Sequence, residues 1–191
     1  MSPEPDARAR LLQEATRLFS RQGYDSTSVR EIVEAAGVTK PTLYYYFESK
    51  EGLFHALVRE HFQAGLAGWE ALLEGQGRVL DRLEALVRAR TALIRQDPCL
   101  VRFLARIGMT QGCVAGFDPS EFFAQESRLL ACLFAEGIQS GELRPLDPSE
   151  LAMTFLGQLH FRVAASVHGG PELSDASIDQ LLDVFKKGVS P

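Results

Sequence analysis

Residues 39 to 47 read Thr-Lys-Pro-Thr-Leu-Tyr-Tyr-Tyr-Phe, a run in which five hydroxyl side chains accompany one lysine. Tyrosine, threonine and serine hydroxyls, with Lys and Arg, are the groups that hydrogen-bond phosphate oxygens. A helix meant only to face water would not carry three consecutive tyrosines. Ser28, Arg30 and Lys50 flank the run and add to the same chemistry. The N-termini of the helices that begin near residues 28 and 49 contribute free N–H groups and a positive dipole end. Other chemistries find no support. Cys99, Cys113 and Cys132 are spaced by 14 and 19 residues, which fits neither a zinc knuckle nor a CxxC pair, and they read as small core residues. His55, His61, His160 and His168 lack the i, i+4 spacing of metal ligands and read as solvated or hydrogen-bonded. With no nucleotide loop and no nucleophile elbow, neither cofactor nor metal is expected.

These residues need a scaffold. Apolar residues recur at helical intervals along nearly the whole chain and no stretch alternates with period two, so the sequence predicts an all-α fold of about nine helices. The first runs from about Asp6 to Gln22, with Leu11, Leu12, Ala15, Leu18 and Phe19 on one stripe and Gly23 stopping it in a left-handed conformation. Ser28-Val29-Arg30-Glu31 fits a capping box for a second helix that Gly37 ends after little more than two turns. Thr39, or alternatively Lys40, caps a third short helix with Pro41 in its first turn. Ser49 caps a long fourth helix carrying Leu53, Phe54, Leu57, Val58, Phe62 and Leu66.

Further helices are expected over Arg78 to Arg95, Leu100 to Gly108, Pro119 to about Glu136, Pro148 to His168 and about Asp175 to Lys187. Asp118-Pro119-Ser120-Glu121 and Asp147-Pro148-Ser149-Glu150 are strong starts, and Lys186-Lys187-Gly188 is a matching stop. Two short helices joined by a glycine turn, between helices that bury their backs, make a helix-turn-helix whose second member enters the major groove. The chain then divides into a DNA-binding domain over 1–48 and a second helical domain over 49–191.

The segment Thr27-Ser28-Val29-Arg30-Glu31-Ile32, continued by Ala36-Gly37-Val38-Thr39-Lys40-Pro41-Thr42-Leu43-Tyr44-Tyr45-Tyr46-Phe47 and Lys50-Glu51-Gly52-Leu53, resembles the tetracycline-repressor (TetR) family. The resemblance covers roughly residues 8 to 58. It implies a homodimer that places one recognition helix in each of two successive major grooves of a palindromic operator, with an effector in the C-terminal domain moving the heads apart. It also implies roles for single residues. Ser28 would meet phosphate and Arg30 would reach a base, while Thr39, Lys40, Pro41 and Thr42 would face the groove. Tyr44, Tyr46 and Lys50 would be phosphate contacts, Tyr45 would belong to the same surface, and Leu43 and Phe47 would hold the helix down.

A net charge of -5 argues at first against a nucleic-acid partner. The excess acid, however, lies outside the first 50 residues, where seven Lys or Arg balance seven Asp or Glu. All four tyrosines fall at or before position 46, whereas most phenylalanines and the single tryptophan follow it. A cavity lined by Phe62, Trp69, Phe103, Phe123, Phe134 and Phe155 would suit an apolar or amphipathic effector, and the alternative is ordinary core. Arg90 and Glu126 interrupt apolar stripes, so either they pair with each other or with other residues, or one anchors a polar group of the effector, an acidic one in the case of Arg90. Phe161, Ala165 and His168, with Ile178, Leu181, Leu182 and Phe185, are candidates for a dimer interface built as an intersubunit four-helix bundle.

No apolar run approaches the ~20 residues of a membrane span and the start lacks the order of a secretory signal, so a cytoplasmic protein without a membrane partner is expected. Its function reads as a DNA-binding regulator, a repressor released by its effector. Two rivals stand beside it: a DNA-binding regulator without effector, and an all-α enzyme using Glu126 and a histidine as acid and base.

Overall fold

The computed structural model describes residues 5–96, 98–109, 116–167, 169–171 and 173–191. Among these residues there are nine α-helices and no β-strand: α1 Pro5–Gln22, α2 Val29–Ala36, α3 Lys40–Phe47, α4 Lys50–Leu73, α5 Val79–Gln96, α6 Pro98–Met109, α7 Ser120–Gln139, α8 Pro148–Val167 and α9 Asp175–Val189. The all-α expectation therefore holds. Helix ends agree to within a few residues, except that α9 runs through Gly188 instead of stopping before it. Val189 is buried and its carbonyl accepts from the Arg144 N–H at 3.0 Å, so packing holds a last turn that the glycine alone would have ended. Cys113 and His168 lie outside the described residues.

The helices form two compact units. The first comprises Met1–Gln63 with Asp97–Pro119, so the unit that holds the helix-turn-helix is larger than residues 1–48 and takes in the first part of α4 and all of α6. Its centre is aromatic. The Phe19 ring packs against Tyr24 at 5.4 Å, Phe54 at 5.8 Å and Phe103 at 6.1 Å. The buried Ser20 hydroxyl lies 2.7 Å from the carbonyl oxygens of both Thr16 and Cys99, one donor shared between α1 and α6. A cleft of about 460 Å³ in this unit is lined in part by Leu12, Thr16, Leu57, His61 and Cys99.

The second unit comprises Ala64–Gln96 with Ser120–Pro191. Phe134, Phe155 and Phe185, from α7, α8 and α9, meet pairwise at 4.8 to 6.4 Å and form its centre. Glu142, after α7, accepts from the N–H groups of Val79 and Leu80 at 2.9 and 3.1 Å, satisfying two orphan donors at the start of α5 with a negative charge at the positive end of its dipole. Lys186 and Arg88 both pair with Glu84, at 2.6 and 2.7 Å, and Arg88 reaches Asp179 at 2.7 Å, tying α9 to α5.

Two expectations change here. Ile178, Leu181, Leu182 and Phe185, assigned to a subunit interface, are at most 6% exposed and fill the core of their own unit. Cys132, assigned to the core, is exposed, because the buried stripe of α7 runs along Glu126, Leu130, Leu133, Phe134 and Gly137 and leaves it outside.

Candidate nucleic-acid interface

Local sequence fixes the geometry of α2 and α3. The Ser28 hydroxyl accepts from Glu31 N–H at 3.2 Å while the Glu31 carboxylate accepts from Ser28 N–H at 2.7 Å, which closes the capping box. These bonds hold the Glu31 carboxyl below the usual carboxylate range, with the Ser28 backbone the largest cause. At the other end Gly37 adopts φ 63°, and the N–H groups of Gly37 and Val38 donate to Glu34 and Val33 carbonyls at 3.3 and 3.0 Å. This left-handed cap turns the chain within two residues. Thr39 stands at the N-cap of α3, but its hydroxyl bonds the Thr42 hydroxyl at 2.9 Å and makes no capping bond to backbone.

One side of this pair is fully buried. Ile32, Val33 and Ala36 of α2 and Leu43 and Phe47 of α3 are at most 5% exposed. The other side carries the residues singled out above. Ser28, Arg30, Thr39, Lys40, Pro41, Tyr44 and Tyr45 are exposed, with Tyr45 at 70%, while Thr42 and Tyr46 are half-buried. Arg30 donates from Nε to Glu34 at 2.6 Å on the surface of α2.

Lys50 is placed differently. Its ammonium donates to the carbonyl oxygens of Tyr24 and Thr27, both at 2.9 Å, and lies 4.0 Å from the centroid of the Tyr24 ring. It closes the loop between α1 and α2, a role that its motif position alone did not reveal. The α3–α4 junction is just as tight. Glu48 takes φ 63°, the Ser49 hydroxyl accepts from Gly52 N–H at 2.9 Å, and a Cβ on Gly52 would stand 2.0 Å from the Phe47 carbonyl oxygen.

The residues expected around an effector are divided. Phe62 and Phe103 belong to the first unit, where Phe62 stacks on Phe117 at 6.3 Å and Phe103 packs on Phe19 and Phe54. Phe155 lies wholly buried against Phe134 and Phe185 in the second. Trp69, Arg90, Phe123 and Glu126 form part of one cluster there. Arg90 Nη1 donates to Glu126 Oε1 at 3.0 Å and its guanidinium lies 5.1 Å from the Trp69 ring centroid, so the two interrupting charges pair with each other. His160, read from the sequence as solvated or hydrogen-bonded and not as an effector residue, completes the cluster. Its Nε2 lies 3.1 Å from Glu126 Oε2 and its ring 5.4 Å from that of Phe123. Burial pushes the Glu126 carboxyl up, but the His160 and Arg90 contacts outweigh this and hold it below the usual range. Phe161 of the expected interface is 74% exposed and Ala165 half-buried.

A capped pair of short helices with a buried back and an exposed face of hydroxyls, Lys and Arg defines a helix-turn-helix DNA-binding regulator. A family profile described as bacterial regulatory proteins, tetR family, matches residues 11–57. The HTH-type transcriptional regulator UidR of Escherichia coli (strain K12) is 27% identical over 95% of this chain and 92% of its own length. RutR, an HTH-type transcriptional regulator of the same strain, is 31% identical over 74% of this chain and 66% of its own. The structure of FadR from Bacillus subtilis in complex with stearoyl-CoA superposes with a TM-score of 0.83 at 21% identity, covering 94% of this chain and 98% of that one. The chain belongs to the tetR family of bacterial regulatory proteins and is a DNA-binding transcriptional regulator.

Proposed function

We propose that the protein is a homodimeric repressor that reads a palindromic operator with one α3 per half-site and releases it when a small apolar or amphipathic molecule binds within residues 49–191. The observation that carries the DNA-reading half is the open face of α3, where Thr39, Lys40, Pro41, Tyr44 and Tyr45 are exposed on a helix whose back is buried. In this reading Thr39, Lys40, Pro41 and Thr42 enter the groove beside Arg30, while Ser28, Tyr44, Tyr45 and Tyr46 meet phosphates. Lys50 joins them only by giving up two carbonyl partners. It acts by binding and not by turnover, in the cytoplasm where the operator lies.

The dimer half is supported by the outer faces of α8 and α9. Met153, Gly157 and Phe161 recur at four-residue intervals on the exposed side of α8, and Ala176, Gln180, Val184 and Gly188 do so on α9. Met153 and Phe161 are 65% and 74% exposed, and large apolar side chains left open along two helices suit a twofold helical interface. For the effector, a chain of this architecture, FadR, was crystallised with stearoyl-CoA, an apolar chain on a polar head. A ligand that prefers the non-binding conformation a hundredfold supplies about 2.7 kcal/mol per site toward release.

The test is selection of genomic DNA with the purified protein, then mobility shift and sedimentation on the selected duplex. A palindrome with half-site centres roughly 34 Å apart, bound by a dimer and lost steeply with salt, is the expected result. A monomer that binds non-palindromic DNA equally well overturns the reading.

A further inference from the structure

Glu126 is a buried carboxylate, 6% exposed, on the apolar stripe of α7. One oxygen is well used, since Oε1 accepts from Arg90 Nη1 at 3.0 Å. The other is not. Oε2 lies 3.1 Å from His160 Nε2, a charge contact only, and neither buried atom has a hydrogen-bond partner among the described residues. The side chains of Arg90 and His160 are 24% and 29% exposed, so the groups that cover the carboxylate are themselves within reach of solvent. Trp69 lies against Arg90, and Phe123 lies against His160.

A carboxylate offers about four acceptor sites, and a buried acceptor left without a donor is costly. Oε2 and His160 Nε2 meet at 3.1 Å with no hydrogen bond between them, and a hydroxyl or a primary amide can donate to the first and also engage the second. An acidic group does not match. The Arg90 charge is already met by Glu126, and a second carboxylate would either stand beside Glu126 or take Arg90 from it and strand a buried charge. An ammonium would be set against the Arg90 guanidinium. Indole and phenyl surfaces suit an apolar body.

We infer that Glu126 is the polar anchor of an effector site, and that the site takes an uncharged amphiphile whose hydroxyl or amide donates to Glu126 Oε2 while its apolar body lies against Trp69 and Phe123. This rests on the effector reading above and replaces the acidic effector that Arg90 suggested in the sequence.

The test titrates the full-length protein with 1-octanol, octanamide, heptyl methyl ether, octanoate and octylammonium, read by calorimetry and by the emission of Trp69, the single tryptophan. Octanol and octanamide bind at least about tenfold more tightly than the other three. In Glu126→Gln the advantage of octanol over the ether shrinks, and octanoate becomes the tightest ligand because Arg90 has lost its carboxylate. If that variant does not fold, the ranking in the unaltered protein decides alone. Octanoate or octylammonium as the tightest ligand of the unaltered protein, or equal binding of octanol and the ether, overturns the anchor. Equal binding across the series leaves the effector reading standing without it, whereas no binding by any of the five removes both.

Discussion

The ammonium of Lys50, at the start of α4, lies 4.0 Å from the ring centroid of Tyr24 while bonding the carbonyl oxygens of Tyr24 and Thr27. A residue of the DNA-binding motif is thus spent on closing the α1–α2 loop. Lys50→Ala is expected to lower the stability of the first unit by about 1–2 kcal/mol, from the lost charge-assisted bonds and cation–π contact. Denaturant melts followed by circular dichroism measure this. Unchanged stability with weakened binding to all DNA would return Lys50 to the phosphates.

Ser28 and Arg30 are two residues apart and should separate cleanly. Ser28→Ala removes the N-cap of α2 and is expected to lower Tm by a few degrees. The Arg30 side chain is 75% exposed and, among the described residues, pairs with Glu34 on the surface, so Arg30→Ala should leave Tm unchanged and alter the sequence preference of the selected operator. Scanning calorimetry and repeated DNA selection give the two readouts.

Tyr44→Phe removes one hydroxyl from an exposed ring. It is expected to weaken binding to the operator and to unrelated DNA by the same factor, whereas Lys40→Ala should change the ratio between them. Mobility shifts on both duplexes at two salt concentrations decide it.

Phe161→Glu with Val184→Glu is expected to yield a folded monomer, because both side chains point outward. Leu181→Glu with Phe185→Glu should instead unfold the second unit, since these residues are buried in it. Sedimentation together with circular dichroism tells the two lesions apart. A folded dimer in the first variant would move the interface off α8 and α9.

The folded-state pKa of Glu126 is lowered from its ordinary value, so its ionisation adds stability above the unfolded pKa, and that contribution is lost as pH falls through the folded one. The stability advantage of the natural protein over Glu126→Gln should be largest near about pH 7 and shrink in the acid range below about pH 4. Urea unfolding at both pH values measures it, and a constant difference would remove ionisation as its source.

Much of the fold was legible because its signals are local. The Asp147 carboxylate accepts from the N–H groups of Ser149 and Glu150, both at 2.9 Å, as the Asp-Pro-Ser-Glu spacing predicts, and the Ser28–Glu31 box and the Gly37 turn form as read. What stayed hidden depends on which surfaces meet. Periodicity identifies the apolar stripe of α9 but not whether Phe185 fills its own core or a partner's. His160 lies 34 residues from Glu126 in sequence, and only the packing of α7 against α8 brings them to 3.1 Å. Lys50 reads as a phosphate contact until Tyr24 is placed beside it.

The contact of Phe19 on α1 with Phe103 on α6 bears on engineering. Regulators of this kind invite head exchange, in which a DNA reader is grafted onto a foreign sensor to rewire a circuit. Here a junction at residue 48 would cut through one hydrophobic cluster, leaving Phe19 without Phe54 and Phe103, and Ser20 without the Cys99 carbonyl. A chimaera that keeps its native specificity and solubility would have to transplant residues 1–63 together with the α6 segment, so the reader is portable only as a discontinuous module.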